Sequence, residues 1–141
     1  MPRPTKKNRA ANAVRKKLRK LHGTGTLQEL RDDIRKFAND RDWGKFHSPK
    51  NLSMALVAEA SELLEHFLWL TEKQSRMIVD RKLSDVAEEI GDVLIYLIRI
   101  ADQLGIDPID AARGKLVVNA RKYPVEKARG NAKKYTEFLK A

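Results

Sequence analysis

Two pairs of acidic residues are the feature of this sequence best suited to carry out chemistry. Glu59 and Glu62 form one pair, Glu89 and Asp92 form the other, and the members of each pair stand three positions apart. On a helix this spacing places two carboxylates about 60° apart around the axis and one turn apart along it. If two helices brought all four together, they would repel one another unless a cation neutralised them. Oxygen ligands favour Mg²⁺, or Mn²⁺ as a substitute, over zinc.

The competing interpretation is that these acids are ordinary solvated side chains, since acidic pairs on helix surfaces usually have lysine partners. Three observations favour a metal site. The acids border apolar stripes, they occur as two similarly built pairs, and few lysines lie one turn away. A carboxylate inside an apolar stripe, as Glu59 is, needs compensation for its lost hydration. We therefore predict a metal site formed by four carboxylates, those of Glu59, Glu62, Glu89 and Asp92.

Motifs that the sequence lacks narrow the reaction class. The chain has no cysteine, which excludes thiolate metal sites, thiol nucleophiles and disulfides. Di-iron carboxylate bundles use Glu-x-x-His pairs, whereas His66 stands four residues after Glu62 and one after Glu65. A P-loop, a G-x-S-x-G motif and an H-E-x-x-H motif are also missing. Because magnesium commonly binds substrate phosphates, hydrolysis of a phosphate ester or anhydride fits best.

The positive charge of the chain is concentrated at its beginning. The net charge is +10, and residues 1–23 contain nine basic residues and no acid. The other 20 basic residues nearly balance the 19 acids, so we predict a basic extension at 1–23 and one helical domain at 24–141. The extension is either a solvated tail or a contact for nucleic acid through residues 1–22. A nucleic-acid-associated helical binding module is therefore the alternative function.

The hydrophobic pattern predicts helices and no strand. The longest wholly apolar run, residues 93–98, is far shorter than the roughly 20 residues that cross a bilayer. We therefore expect no membrane contact, and the missing cysteines permit a reducing, cytoplasmic location. Caps and apolar periodicity predict an all-α, four-helix-type bundle. Its predicted helices run from Thr26 to about Arg41, from Ser48 to about Leu70, from Ser84 or a residue just before it to Gly105, and from Asp107 to Pro124, with a short connecting helix at Thr71–Val79.

Several motifs together resemble one family, the MazG-type all-α nucleoside triphosphate pyrophosphohydrolases, and within it the single-domain dCTP pyrophosphatase branch. The resemblance spans about residues 26–138 in order and does not include the basic extension. The motifs that carry it are Trp43, Phe46-His47, Pro49, Asn51-Leu52, Glu59-x-x-Glu62, Trp69, Glu88-Glu89-x-x-Asp92, Asn119, Lys122-Tyr123-Pro124 and Lys133-Lys134-Tyr135.

The resemblance implies hydrolysis of a nucleoside triphosphate between its α and β phosphates, giving a monophosphate and pyrophosphate. It implies that Mg²⁺ is held by the four predicted carboxylates and bridges the phosphates. Glu65 and Glu88 are either supporting or proton-accepting residues or ordinary exposed acids. The family builds its sites within dimers, often paired into tetramers, so we expect a homodimer or homotetramer.

The same resemblance implies a set of substrate-binding residues. Lys115, Asn119, Lys122 and Tyr123 would contact the phosphates, unless they form a solvated basic face. Trp43, His47, Trp69 and Tyr96 would enclose the base and sugar. For Trp69 and Tyr96 core packing is the alternative, and His47 could equally be a surface histidine. Vertebrate members place a histidine of the first helix against the nucleotide where this chain has Ile34, so cytosine preference follows less directly than the reaction type.

Overall fold

Side-chain caps set the start of three long helices in the computed structural model, which describes residues 25–78 and 80–138. The hydroxyl of Thr26 accepts a hydrogen bond from the backbone N–H of Glu29 at 3.2 Å, and the Glu29 carboxylate accepts the N–H of Thr26 at 2.6 Å. Ser48 accepts the N–H three residues further on, at 3.2 Å. Asp107 accepts two N–H groups of the helix that it opens. These bonds satisfy donors that every helix start leaves unpaired, and they confirm the predicted caps.

The described chain is all-α and falls into two units, residues 25–104 and residues 105–138. No strand occurs in either unit as described. The first unit contains α1 (Leu27–Asn39), a 3₁₀ turn (Trp43–Lys45), α2 (Pro49–Glu65), α3 (Glu72–Ser75) and α4 (Asp80–Leu104). The second unit contains α5 (Pro108–Lys122), α6 (Val125–Ala128) and a 3₁₀ turn (Tyr135–Glu137). The predicted extension at 1–23 lies outside the described residues, and the single domain at 24–141 stays a prediction.

Two predicted helix ends are wrong. Helix α2 ends at Glu65 instead of continuing to about Leu70. The backbone N–H groups of Phe67 and Leu70 bond three residues back, to Leu64 and Phe67, which tightens the chain into turns. The chain must also straighten before Thr71, whose own capping box requires an extended backbone. The connecting helix is also shorter than predicted, at Glu72–Ser75, because the backbone N–H of Met77 bonds three residues back, to Gln74.

The start of α4 was also predicted too late, near Ser84 instead of Asp80. The apolar stripe that indicated this helix was read from Val86 onward, and Leu83 is the only apolar residue among 80–85. A single apolar residue shows no periodicity, so the apolar pattern did not indicate the first residues of this helix.

Helices α2 and α4 run antiparallel and make the main contact of the first unit. Their direction follows from two contacts: His66 at the end of α2 lies near Glu89, whereas His47 before α2 lies near Arg99. Helix α1 packs on the C-terminal half of α4, where Arg35 contacts Asp102. Among the residues that the structure describes, the buried apolar side chains come from α1, α2 and α4 and are Ala38, Leu52, Val86, Ile98 and Ala101.

Both central helices keep large apolar side chains exposed in the single chain. Met54 and Val57 of α2 and Ile90 of α4 expose more than half of their surface. Within residues 25–78 and 80–138, no helix has both the length and the apolar character that crossing a membrane requires.

Candidate metal and nucleotide site

The antiparallel pairing of α2 and α4 brings three of the four predicted carboxylates together. One oxygen each of Glu59, Glu89 and Asp92 lies within 4.8 Å of the others. Glu59 and Glu89 are half-buried and Asp92 is exposed. Glu62, one turn further along α2, is exposed and lies outside this set. We call Glu59, Glu89 and Asp92 the carboxylate set.

The donor chemistry of the carboxylate set fits a hard divalent cation. Ligand oxygens of Mg²⁺ lie about 2.1 Å from the ion, so they can be up to about 4.2 Å from one another. The 4.8 Å limit within which the three oxygens lie is close to that spacing. All three ligands are oxygen atoms, as Mg²⁺ and Mn²⁺ prefer.

The electrostatics of the set point the same way. Partial burial raises the pKa of the Glu59 carboxyl, and the nearby charges of Glu62, Asp92 and Glu89 raise it further. Both effects disfavour the ionised carboxylate, the first by removing hydration and the second by repulsion. A bound divalent cation would oppose both, because it supplies the missing positive charge.

His66 belongs to the surroundings of the carboxylate set, although it was not among the predicted site residues. Its Nε2 lies 3.9 Å from Oε1 of Glu89, and its side chain is partly buried. The sequence could have indicated His66 through its position. It follows Glu59 by seven residues, which on a helix places the two side chains on the same face. The remaining predicted acids, Glu65 and Glu88, are exposed at the end of α2 and on α4.

The second cluster of predicted site residues lies in the loop before α2. The Trp43 ring meets Phe37 edge to face at 5.6 Å between centroids and meets the His47 ring at 5.9 Å. The guanidinium of Arg41 lies 3.5 Å from the centroid of the Phe37 ring. Trp43 nevertheless keeps 41% of its surface exposed, so one part of the indole is available to a ligand.

Two side chains from outside this loop fix its far end. Asn51 donates a hydrogen bond to the carbonyl of Phe46 at 2.9 Å. Arg99 of α4 donates from Nε to Nδ1 of His47 at 3.3 Å. Burial lowers the pKa of His47, and the positive charge of Arg99 lowers it further. His47 is half-buried and hydrogen-bonded to Arg99, so it is not a free surface histidine.

Trp69, Tyr96 and Ile34 occupy three different environments. Trp69, in the turn after α2, exposes 89% of its surface, so core packing does not account for it in the single chain. Tyr96 is half-buried on α4, two turns beyond Glu89. Ile34 is half-buried on α1.

The second unit contains the four predicted phosphate-binding residues. Lys115 is exposed and Asn119 is half-buried on α5. Lys122 places its Nζ 4.7 Å from the ring centroid of Tyr135, and Tyr123 meets that ring edge to face at 6.0 Å. Tyr123 also meets Phe138 at 6.2 Å, so the end of the described chain is anchored on α5. The phosphate contacts themselves stay a prediction.

Comparisons with known proteins show which proteins this chain is similar to. The model of the MazG-like family matches residues 54–138. The protein named dCTP pyrophosphatase 1 from Homo sapiens is 40% identical over 115 residues, which cover 80% of this chain and 68% of that protein. Its namesake from Rattus norvegicus is 39% identical over the same length and the same shares of both chains.

A solved structure is similar in fold as well as in sequence. The crystal structure of a pyrophosphatase from Archaeoglobus fulgidus is 41% identical and superimposes with a TM-score of 0.68, covering 73% of this chain and 96% of that one. The family match includes the carboxylate set and most of both central helices. The chain therefore belongs to the MazG-like family.

Proposed function

We propose that this protein is a magnesium-dependent nucleoside triphosphate pyrophosphohydrolase that cleaves between the α and β phosphates. The observation that carries the proposal is the carboxylate set on α2 and α4 in a chain of this family. The relatives named dCTP pyrophosphatase suggest dCTP or a modified dCTP as substrate. Removal of such nucleotides from the cellular pool is the proposed role, in the cytoplasm.

The carboxylate set and Glu62 would hold Mg²⁺, with Mn²⁺ as a possible substitute. When bound, the cation would neutralise the charge of the phosphates and polarise the bond that breaks. In the reaction the oxygen of a water molecule bonds to the α-phosphorus, the bond to the bridging oxygen breaks, and pyrophosphate leaves. The proton of that water must pass to a base, for which the exposed acids Glu65 and Glu88 are the candidates.

The distance between the carboxylate set and the aromatic loop around Trp43 and His47 suits a ligand with a charged end and an aromatic end. From Pro49 to Glu59, α2 rises about 15 Å, and from Asp92 to Arg99, α4 rises about 10 Å. The carboxylate set thus lies on the order of 10–15 Å from His47, with Trp43 beside it. One nucleoside triphosphate could reach both clusters with its phosphates at the acids and its base at the aromatic loop.

We also propose that the protein acts as a homodimer or homotetramer. Apolar side chains that a monomer would bury are exposed on α2 and α4, and the indole of Trp69 is almost wholly exposed. Exposed apolar patches of this kind mark interaction surfaces. Closed symmetric dimers are the commonest solution.

A substrate panel tests the proposed reaction. Purified protein with Mg²⁺ is given each common and several modified nucleoside triphosphates, and monophosphate and pyrophosphate are measured by chromatography. We expect both products in equal amounts and a loss of about 100-fold or more in Glu59→Gln, because the site loses one of its charges. The matched control is Asp33→Asn, which removes an exposed acid from α1. Equal rates for Glu59→Gln and the native protein would rule out the assigned site.

The charge of residues 1–22 supports a second proposal, nucleic-acid binding through the extension. Nine basic residues without an acid favour a polyanion. The affinity would then fall steeply with salt, and the binding would disappear when residues 1–22 are deleted. No binding of DNA or RNA at low salt would refute this second function without affecting the first.

A further inference from the structure

Arg99 is an arginine almost fully buried among the apolar residues of α4. Only 4% of its surface is exposed, and the side chain of Asp102 beside it is 8% exposed. Nη1 of Arg99 donates to Oδ2 of Asp102 at 2.8 Å, and Arg35 of α1 donates to both oxygens of the same carboxylate. Burying this ion pair removes its hydration, and a protein with apolar residues of similar volume in its place would often be as stable. Stability alone therefore does not explain the presence of Arg99.

Arg99 also contacts His47, which lies in the loop proposed to bind the base of the nucleotide. Its Nε donates to Nδ1 of His47 at 3.3 Å. A guanidinium has only donors, so Nδ1 of His47 must be the acceptor and the ring proton must be on Nε2. Burial and the charge of Arg99 lower the pKa of His47, which keeps the ring neutral. Asp102 fixes the guanidinium from the other side.

We propose that Arg99 is a positioning residue that holds His47 as the Nε2-protonated ring, so that His47 offers the substrate a hydrogen-bond donor. This inference rests on the proposed function, in which His47 contacts the base. A donor selects bases whose facing atom is an acceptor. In this proposal, Nε2 of His47 lies opposite ring atom N3 of the pyrimidine, because O2 is an acceptor in cytosine, uracil and thymine alike. N3 of cytosine is an acceptor, whereas N3 of uracil and thymine carries a proton. Arg99 thereby favours cytosine nucleotides without touching them.

The first test measures the tautomer of His47 directly. Two-bond ¹⁵N–¹H couplings of the imidazole show which ring nitrogen carries the proton in the full-length native protein. We expect the proton on Nε2 in the native protein and a mixture of both tautomers in Arg99→Met. A proton on Nδ1 in the native protein would overturn the proposal, whatever the enzyme's activity.

The second test asks whether the tautomer matters for the substrate. With dCTP, Arg99→Met should raise KM about five- to tenfold with kcat nearly unchanged, because one hydrogen bond to the base is lost. The preference for dCTP over dUTP should fall by a similar factor. His47→Ala should have the same effect, and the double variant should not add to it, because Arg99 acts through His47. If Arg99→Met does not fold, the tautomer of the native protein and the KM of His47→Ala still test the proposal.

Arg35→Met is the matched control, since Arg35 contacts Asp102 but makes no described contact with His47. It should leave KM and the tautomer as they are in the native protein. Equal increases of KM in both arginine variants would show a structural role and refute the proposal. An unchanged KM in Arg99→Met with a changed tautomer would refute it as well. If the native protein releases pyrophosphate from no triphosphate, the proposed function fails, while the couplings still decide the tautomer.

Discussion

Neutralising Glu59 should stabilise the metal-free protein and weaken its response to magnesium. Two carboxylates, of Glu89 and Asp92, lie within 4.8 Å of an oxygen of Glu59. At that distance each repulsion is worth about 0.9 kcal/mol with the dielectric constant of water. Screening by salt reduces the combined effect to about 1 kcal/mol. In EDTA, Glu59→Gln should therefore melt about 3–4 °C above the native protein.

Adding magnesium should make the native protein melt at a higher temperature than Glu59→Gln. A ligand that binds only the folded state adds about 2.7 kcal/mol at a concentration 100 times its Kd. The native protein has the full carboxylate set and gains this stabilisation, whereas Glu59→Gln has lost one ligand and gains less. Differential scanning fluorimetry over a magnesium titration, with and without EDTA, measures both parts, and Asp33→Asn serves as the control.

Two results would refute this reasoning separately. If Glu59→Gln melts below the native protein in EDTA, the three carboxylates do not repel one another as the structure requires. If magnesium raises the melting temperature of both proteins equally, Glu59 is not a ligand of the bound cation.

Three further predictions concern other parts of the chain. The hydrogen bond from Arg35 lowers the pKa of Asp102 below its ordinary value, and the charges of Arg35 and Arg99 lower it further despite burial, so this carboxylate stabilises the fold above its unfolded pKa. The stability difference between the native protein and Asp102→Asn in urea should be constant near pH 7 and shrink as the pH falls through the lowered pKa. Val57→Lys should shift the protein toward monomers in analytical ultracentrifugation, whereas Val125→Lys, at a similarly exposed position in the second unit, should not. Deleting residues 1–23 should leave kcat unchanged and remove any salt-sensitive binding of DNA.

Local chemistry explains which parts of the fold were predictable. The caps at Thr26, Ser48 and Asp107 were predictable because each depends on hydrogen bonds to residues two or three positions away. The end of α2 was not, because apolar residues continue the helical pattern as far as Leu70. What ends the helix is competition from the turn and from the capping box at Thr71.

In the candidate site, too, the features that depend on local spacing were predictable and those that depend on long-range contacts were not. The pairing of Glu59 with Glu89 and Asp92 was predictable, since two similar acidic pairs in apolar stripes indicate a shared cation. The contact between Arg99 and His47 was not, because 52 residues separate them and Arg99 belongs to no motif; it only follows the apolar run 93–98. The contact between Arg35 and Asp102 spans 67 residues and left no periodic signal. Such contacts depend on how the helices pack against one another, and the spacing of residues along the chain does not determine that packing.

The position of the broken bond is the most direct test of the central claim. The native protein hydrolyses dCTP with Mg²⁺ in H₂¹⁸O, and mass spectrometry locates the label in the products. We predict that one ¹⁸O atom enters the monophosphate and none enters pyrophosphate, because water attacks the α-phosphorus. Label in pyrophosphate, or release of orthophosphate in its place, would contradict the account.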